Sequence, residues 1–206
     1  MERPVAAELE NQETRIMQRL HSVDPGQAQG RAQQLLQTVE QAFGTIPNVA
    51  TVMANSPAVL DSYLAFSTAM GEARIGATLH HQIKLATSEA NTCNYCSSIL
   101  THLGQQGGIC ELDLVEGRKA SPADPRTDAA LKFASSVLDS RGKVSDDELK
   151  SVRQAGFDDG EIAEIVASVV LGCFTNFLNN VADTTLDIPQ AAPLEACSVN
   201  GGCGCN

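Results

Sequence analysis

The sequence predicts an all-α protein, organised as a single domain of two helical halves. Apolar residues recur at helical spacing along most of the chain, and no stretch that alternates apolar and polar residues is long enough to indicate a strand. Aromatic residues make up only 4% of the 206 residues, and the apolar fraction is rich in alanine, leucine and valine. Such a composition favours closely packed helices over a β-sandwich.

Three helices are predicted in the first half. The apolar positions between residues 32 and 43 follow one helical face. Ser56 and Pro57 are typical of an N-cap followed by proline at the first helical position, and the helix that they begin ends near Gly71. A third helix is expected from about residue 76 to residue 89.

The second half repeats this organisation after a linker at residues 121–125, which contains two prolines. A helix is predicted over residues 128–141. Ser145 and Glu148 form the pattern of a capping box, which begins a short helix. Asp158 or Asp159 then caps a long apolar helix that reaches about residue 181.

Charge and hydropathy exclude several classes of partner. The net charge is −11 and no basic stripe is present, so we expect no nucleic-acid partner. The longest run without a charged or strongly polar side chain is only residues 165–174, shorter than the ~20 residues of a membrane helix. The N-terminal residues do not resemble a signal peptide. We therefore expect a cytoplasmic protein that does not enter a membrane.

The most informative segment is the C-x-x-C motif of Cys93 and Cys96. Asn91 or Thr92 is the expected N-cap, which would place Cys93 in the first turn of a helix. Two cysteines three residues apart on a helix can form a disulfide, and the helix N-terminus lowers the pKa of a thiol there. A dithiol–disulfide catalyst needs this arrangement.

Two other interpretations of the motif remain open. It is also found as half of a zinc site, for which His102, Cys110 or the C-terminal cysteines would supply the remaining ligands. It can also be a pair of buried structural thiols.

Four segments in this order, the C-x-x-C motif among them, resemble the peroxidase-related branch of the carboxymuconolactone decarboxylase superfamily, which includes the alkylhydroperoxidase D (AhpD) proteins. They are GTIPN at 44–48, ANSP at 54–57, the C-x-x-C block at 88–104 and TNFLNNVADT at 175–184. The resemblance covers about residues 30–190. It implies an AhpD-like all-α domain, which we place at residues 30–186 after a helical extension at 1–29. The segment 187–206 holds two prolines, three cysteines and few apolar residues, which predicts a flexible cysteine-rich tail. The resemblance also implies a trimer or hexamer, and peroxide or disulfide chemistry at the cysteine pair.

The resemblance assigns roles to the two thiols. It implies that Cys96 attacks the peroxide and that Cys93 resolves the resulting sulfenic acid, whereas the helix dipole alone would favour Cys93 as the attacking thiol. Two positions of the family's proton relay differ here. Leu100 stands where the family has a histidine, and His81 stands where it has a glutamate.

Two residues are candidates for proton handling. His81 is one, although a polar residue at a surface or subunit interface is the simpler interpretation. Glu89, just before the motif, is the second. His80 and His102 are expected to point elsewhere, the latter because six residues rotate a helix by about 240°. Tyr95 is expected to be a packing residue with its hydroxyl at the rim of the site.

The remaining cysteines fall into two groups. Cys110 and Cys173 are expected in or near the core. The glycine-rich segment with Cys197, Cys203 and Cys205 has three interpretations: a redox shuttle that reduces the Cys93–Cys96 disulfide, a soft-metal or metalloid site, or an incidental chain end.

The sequence therefore predicts a thiol-dependent oxidoreductase with antioxidant activity, either an alkylhydroperoxidase-like peroxidase or a disulfide reductase. Its expected partners are a peroxide or disulfide substrate, an external dithiol reductant and further copies of the chain. No organic cofactor is expected, because no nucleotide-binding glycine pattern is present. The alternative is a thiol-based metal or metalloid binding protein on the same scaffold.

Overall fold

The computed structural model describes residues 18–194, and this part of the chain consists of helices and connecting loops. The helices are α1 (Gly30–Phe43), α2 (Asn48–Met53), α3 (Pro57–Gly71), α4 (Ala77–Ala90), α5 (Asn94–Gln106), α6 (Glu111–Lys119), α7 (Pro125–Ser140), α8 (Asp146–Gln154) and α9 (Asp159–Ala182). The all-α prediction is confirmed.

Helix α4 lies at the centre of the fold, where it packs against α5, α6, α7 and α9. Its side chains are buried on several faces, including Leu79, Ile83 and Leu85. A helix that is surrounded in this way needs apolar residues beyond a single stripe. The central position of α4 also brings its polar residues into the interior.

Two large apolar clusters, and a small third one of Leu85, Leu100 and Leu114, hold the helices together. One joins α4, α7, α8 and α9 through residues such as Ile83, Leu131 and Ile165. The other packs α1, α2 and α3 against the start of α5, and it includes Cys93 and Cys96. The cysteine pair is thus part of the second core.

Local capping signals place several helix ends. The capping box of Ser145 and Glu148 is present at α8, and Asp158 caps α9 in a second capping box. Helix α7 begins earlier than predicted, at Pro125, because the Asp124 carboxylate accepts a hydrogen bond from the Thr127 N–H (2.8 Å).

Two short helices were not predicted from the sequence. Helix α2 has six residues, too few to show a helical period. Helix α6 has nine residues and only three of them are strongly apolar, at Leu112, Leu114 and Val115. Both depend on packing against neighbouring helices, since short isolated helices are only marginally stable.

Both ends of the described chain differ from the expected organisation. Residues 18–29 form turns and loops rather than a helix. The start of the expected flexible tail is fixed to the helical domain. Ser98 Oγ accepts a hydrogen bond from the Ala191 N–H (3.0 Å), and Arg118 donates one to the Ala192 carbonyl (2.8 Å). Residues 1–17 and 195–206 lie outside the described part.

Helix α9 is long and apolar enough, by length and composition, to cross a membrane. Core helices of soluble proteins have the same properties, and one face of α9 packs in the interior through Ile165, Val169 and Leu171. The length and composition of α9 thus fit a core helix as well as a membrane helix.

Candidate active site

The cysteine pair lies where the chain turns from α4 into α5. Only residues 91–93 separate the two helices, and Thr92 turns the chain with a left-handed backbone (φ 50°). Cys93 itself is the N-cap of α5, and its sulfur accepts a hydrogen bond from the Cys96 N–H (3.3 Å). The predicted cap, Asn91 or Thr92, is wrong, because the tight turn delays the helix by one or two residues.

Cys93 and Cys96 are disulfide-bonded, and their Cα atoms lie 5.3 Å apart, within the usual range for a disulfide. Both residues are buried, with 1% and 2% of their surface exposed. The helical spacing of the motif thus does bring the two sulfurs together.

A cavity of about 810 Å³ lies beside this pair, between α3, α4, α5 and α9. Cys96 lines the cavity, whereas Cys93 is not among its lining residues. The apolar part of the wall includes Phe43, Val49, Ile99, Leu100, Leu103 and Ile109. The polar part includes His80, His81, Lys84, Asp113, Thr175 and Asn179. A small molecule in the cavity would contact Cys96.

Asn179 of α9 binds the sulfur of Cys96. Its Nδ2 donates a hydrogen bond to Cys96 Sγ (3.3 Å), while its buried Oδ1 has no hydrogen-bond partner among the described residues. A donor at this position stabilises a thiolate more than a thiol. Asn179 lies in the 175–184 segment that carries the family resemblance, but no sequence pattern gave this residue a role.

Three further asparagines hold the turn against α9. Asn91 Nδ2 donates to Asn176 Oδ1 (2.9 Å), and Asn176 Nδ2 donates to the hydroxyl of Ser88 (3.0 Å). Asn180 donates to the backbone carbonyl of Asn91 (2.9 Å). These contacts fix the position of the C-x-x-C motif relative to α9.

His81 lines the cavity, and its Nε2 lies 2.8 Å from the backbone oxygen of Leu100. Since a carbonyl only accepts, Nε2 carries the hydrogen and Nδ1 is the unprotonated nitrogen. Burial, reinforced by the nearby charge of Lys84, lowers the pKa of His81 to about 4. His81 is therefore neutral near pH 7, and its role in proton handling stays a prediction.

His80 also lines the cavity, although its position next to His81 had predicted that it would point elsewhere. Its Nδ1 lies 2.8 Å from the hydroxyl of Ser168, which itself donates to the Glu164 carbonyl. The ring therefore donates from Nδ1. Burial lowers its pKa to about 4, so His80 is also neutral near pH 7.

Lys84 of α4 is the third basic residue at the cavity, and no sequence pattern identified it. Burial lowers its pKa to about 8. Among residues 18–194, no carboxylate forms an ion pair with its ammonium group. Lys84 lies outside the apolar face of α4 that Leu79, Ile83 and Ala86 form at helical spacing.

Glu89, the second candidate for proton handling, binds Arg118 of α6 (2.5 Å). It is not among the residues that line the cavity of Cys96. The structure thus gives Glu89 a partner away from this cavity, and its catalytic role stays a prediction. Tyr95 is buried against the second core, and its hydroxyl donates to Asp187 (2.8 Å).

The other cysteines and His102 are more scattered. Cys110 lines the same cavity as Cys96, and Cys173 is a partly buried free thiol of α9; burial raises the pKa of Cys173. His102 lies within hydrogen-bond distance of Gln106 and does not line this cavity. Within residues 18–194, no group of three or more cysteine, histidine or acidic side chains is placed to hold a metal ion. Cys197, Cys203 and Cys205 lie outside the described residues.

Comparisons with known proteins identify the fold. No protein-family model matches the chain, and no curated protein matches it. The AhpD core of a peroxidase-related protein from Ralstonia eutropha is 21% identical, with a TM-score of 0.73 over 82% of this chain and 91% of that one. A peroxidase-related protein from Silicibacter is also 21% identical, with a TM-score of 0.68 over 82% and 94%.

A third similar structure is the debrominase Bmp8, in a cysteine-to-alanine variant bound to 2,3,4-tribromopyrrole. It is 17% identical and has a TM-score of 0.70 over 82% of this chain and 91% of that chain. At these identities the likeness concerns the fold alone. The chain has an AhpD-like all-α fold, as the sequence resemblance implied.

Proposed function

We propose that this protein is a thiol-dependent oxidoreductase in which Cys96 attacks a peroxide and Cys93 resolves the product. The observation that carries the proposal is the asymmetry of the pair: the two residues are bonded to each other, and Cys96 lines the cavity while Cys93 does not. This asymmetry supports Cys96 as the residue that meets a substrate in the cavity and Cys93 as the thiol that reacts with it afterwards.

The proposed reaction has three balanced steps. The Cys96 thiolate attacks one peroxide oxygen, the O–O bond breaks, and the leaving oxygen takes up a proton to give an alcohol or water. The Cys93 thiol then displaces hydroxide from the Cys96 sulfenic acid, which forms the disulfide and releases water. An external dithiol reduces this disulfide by two exchange reactions and is itself oxidised to a disulfide.

The surroundings of Cys96 support its role as the attacking thiolate. Cys96 is the third residue of α5, where the helix dipole favours a negative charge. The Asn179 amide donates a hydrogen bond to its sulfur. Both effects stabilise the thiolate relative to the thiol.

The test is to add one equivalent of hydrogen peroxide to the reduced protein and to locate oxidised thiols by mass spectrometry. We expect the wild type to form the Cys93–Cys96 disulfide rapidly, and Cys93→Ser to accumulate a sulfenic acid on Cys96 that dimedone traps. Cys96→Ser should react no faster than an isolated thiol. Cys173→Ser is the matched control and should behave like the wild type.

Three results would contradict the proposal. If Cys93 and Cys96 are oxidised no faster than Cys173, the protein is not a peroxidase. A sulfenic acid that forms on Cys93 in Cys96→Ser, at the wild-type rate, would reverse the assigned roles. Inert thiols together with stoichiometric bound metal would favour the metal-binding alternative.

A second candidate reaction is reductive debromination of an aromatic ring. It is supported by the large cavity beside Cys96, whose wall is in good part apolar, and by the fold shared with the tribromopyrrole-bound debrominase. In this reaction the carbon–bromine bond is replaced by carbon–hydrogen, bromide is released, and the two thiols are oxidised to the disulfide. Bromide release from 2,3,4-tribromopyrrole in the presence of dithiothreitol, absent in Cys96→Ser, is the measurement.

We also propose that the protein forms a homo-oligomer through the exposed side of α9. Val170, Phe174, Phe177 and Val181 recur at spacings of four, three and four residues, and between 37% and 56% of each is exposed. An apolar stripe of this kind fits a second copy of the chain, as the family resemblance implies. The cytoplasmic location of the protein stays a prediction.

A further inference from the structure

We propose that Lys84 is a catalytic residue whose ammonium group stabilises the Cys96 thiolate and donates the proton to the oxygen that leaves the peroxide. The second part of this inference rests on the proposed peroxidase function. The first part, stabilisation of the thiolate, does not depend on the substrate.

The packing of α4 against α5 brings Lys84 to the level of Cys96. The Cys93 N–H donates to the Ser88 carbonyl (2.9 Å), and His81 binds the Leu100 carbonyl (2.8 Å). The two helices run antiparallel, so residues at the same level have numbers with a constant sum. In both contacts this sum is 181. Along the same register, Lys84 is level with residue 97, next to Cys96.

Both side chains also line the same cavity. Helix α4 contributes His80, His81 and Lys84 to its wall at the spacing of one helical turn. Cys96 contributes from α5. The register and the shared cavity together place the ammonium group on the side of α4 that a substrate bound to Cys96 would occupy.

Lys84 is the only cation that the described residues supply to this wall. The other titratable side chains that face it are His80 and His81 on α4, Tyr63 on α3 and Asp113 on α6; α9 contributes only the neutral Thr175 and Asn179. Both histidines are neutral near pH 7, because burial lowers their pKa to about 4. Positive charge at the cavity therefore comes from Lys84.

A partly buried ammonium group without an anionic partner destabilises a folded protein. The described part of the chain provides no carboxylate in ion-pair contact with Lys84. Reduction of the Cys93–Cys96 disulfide allows Cys96 to form a thiolate. This negative charge lies on α5 at the level of Lys84. Reduction of the disulfide thus supplies the partner that Lys84 lacks.

The chemistry of proton transfer also suits Lys84. Its pKa, lowered to about 8 by burial, leaves the group mostly protonated near pH 7 and yet able to release a proton. When the Cys96 thiolate attacks the peroxide, the sulfur–oxygen bond forms, the O–O bond breaks, and the alkoxide takes the proton of Lys84. The neutral amine regains a proton from solvent.

The test compares Lys84→Met and Lys84→Arg in a Cys93→Ser background, where Cys96 stays reduced. Two rates are measured for each variant: alkylation of Cys96 by iodoacetamide as a function of pH, and reaction of Cys96 with hydrogen peroxide. The exposed Lys150 of α8 provides the matched control, Lys150→Met.

We expect Lys84→Met to lower the alkylation rate near pH 6.5 by about 10-fold, because an opposite charge nearby lowers a thiol pKa by about one unit or more. Its reaction with peroxide should fall further, since the proton donor is also lost. Lys84→Arg should restore alkylation but not the full peroxide rate, because a guanidinium group does not release its proton. Lys150→Met should leave both rates unchanged.

An alkylation profile that is the same in Lys84→Met and in the parent Cys93→Ser protein overturns the inference, whatever the peroxide rate. A full peroxide rate in Lys84→Arg overturns the proton-donor role. If the parent Cys93→Ser protein does not react with peroxide while Lys84→Met shifts the alkylation profile, the peroxidase function fails and the thiolate-stabilising role of Lys84 stands.

Discussion

The ion pair of Glu89 with Arg118 predicts that Glu89 stabilises the fold and takes no part in catalysis. The Arg118 side chain is only 7% exposed, and it also donates a hydrogen bond to the Ala192 carbonyl (2.8 Å). Glu89→Gln keeps the size of the side chain and an oxygen that can accept from the guanidinium group. The substitution removes only the negative charge opposite a buried cation.

The expected loss of stability follows from the burial of the two partners. Removal of one partner of a fully buried ion pair costs about 3 to 5 kcal/mol. Glu89 is 23% exposed and glutamine retains an acceptor, so we expect a decrease of about 2 to 3 kcal/mol in the free energy of unfolding. For a chain of this length that corresponds to a decrease in Tm of roughly 4 to 12 °C.

The measurement is thermal unfolding together with the rate of Cys96 oxidation by peroxide, below the unfolding range. Asp61→Asn is the matched control, because Asp61 pairs with Arg31 at 2.8 Å but both side chains are about half exposed. Such a surface pair contributes about 0 to 1 kcal/mol. We expect Glu89→Gln to lose stability and keep its oxidation rate. An unchanged Tm with a slowed reaction would refute the structural assignment and make Glu89 a proton-handling residue.

Three further predictions concern other parts of the molecule. Asn179→Leu removes a hydrogen bond of about 1.5 to 3 kcal/mol to a charged acceptor, so the pH midpoint of Cys96 alkylation should rise by about one to two units; an unmoved midpoint would exclude this role of the amide. The folded-state pKa of His81, about 4, lies below its ordinary value of 6.5, so its contribution to stability is present above pH 6.5 and is lost as the pH falls towards 4. Urea unfolding between pH 4 and 7 should therefore depend less on pH in His81→Gln than in the wild type, and equal slopes would contradict it. Phe177→Glu places a charge on the exposed apolar stripe of α9 and should reduce the mass measured by sedimentation to that of one chain. A wild-type protein that is already monomeric would contradict the proposed interface.

The parts of the fold that could be predicted from the sequence are those with local signals. The capping box at Ser145 and Glu148 involves residues three apart, and the helix that it begins is present. The C-x-x-C spacing likewise needed only one helical turn to predict that Cys93 and Cys96 can bond. Helix α2 gave no such signal, because six residues are too few to show a period.

The parts of the site that could not be predicted depend on contacts between distant segments. Asn179 is 83 residues from Cys96 along the chain, and its only local sign is a polar pair within an apolar helix. Lys84 lies off the apolar stripe of α4, so the helical period indicates an exposed residue. It faces a cavity because α4 is packed on several sides, which no pattern within α4 reveals.

Positions 81 and 100, where the sequence differs from the proton relay that the resemblance implies, lie next to each other in the structure. Leu100 and His81 are in contact, since the His81 ring binds the backbone oxygen of Leu100 itself. That bond occupies one ring nitrogen, while burial and the nearby charge of Lys84 lower the pKa of His81 and keep the imidazole neutral, so the histidine does not bring positive charge to Cys96. Lys84 stands one helical turn further along α4, towards the level of Cys96, and carries the charge that His81 lacks. In the proposed mechanism, Lys84 of α4 handles the proton. The difference at positions 81 and 100 from the relay that the sequence resemblance implies therefore does not by itself exclude a reactive Cys96.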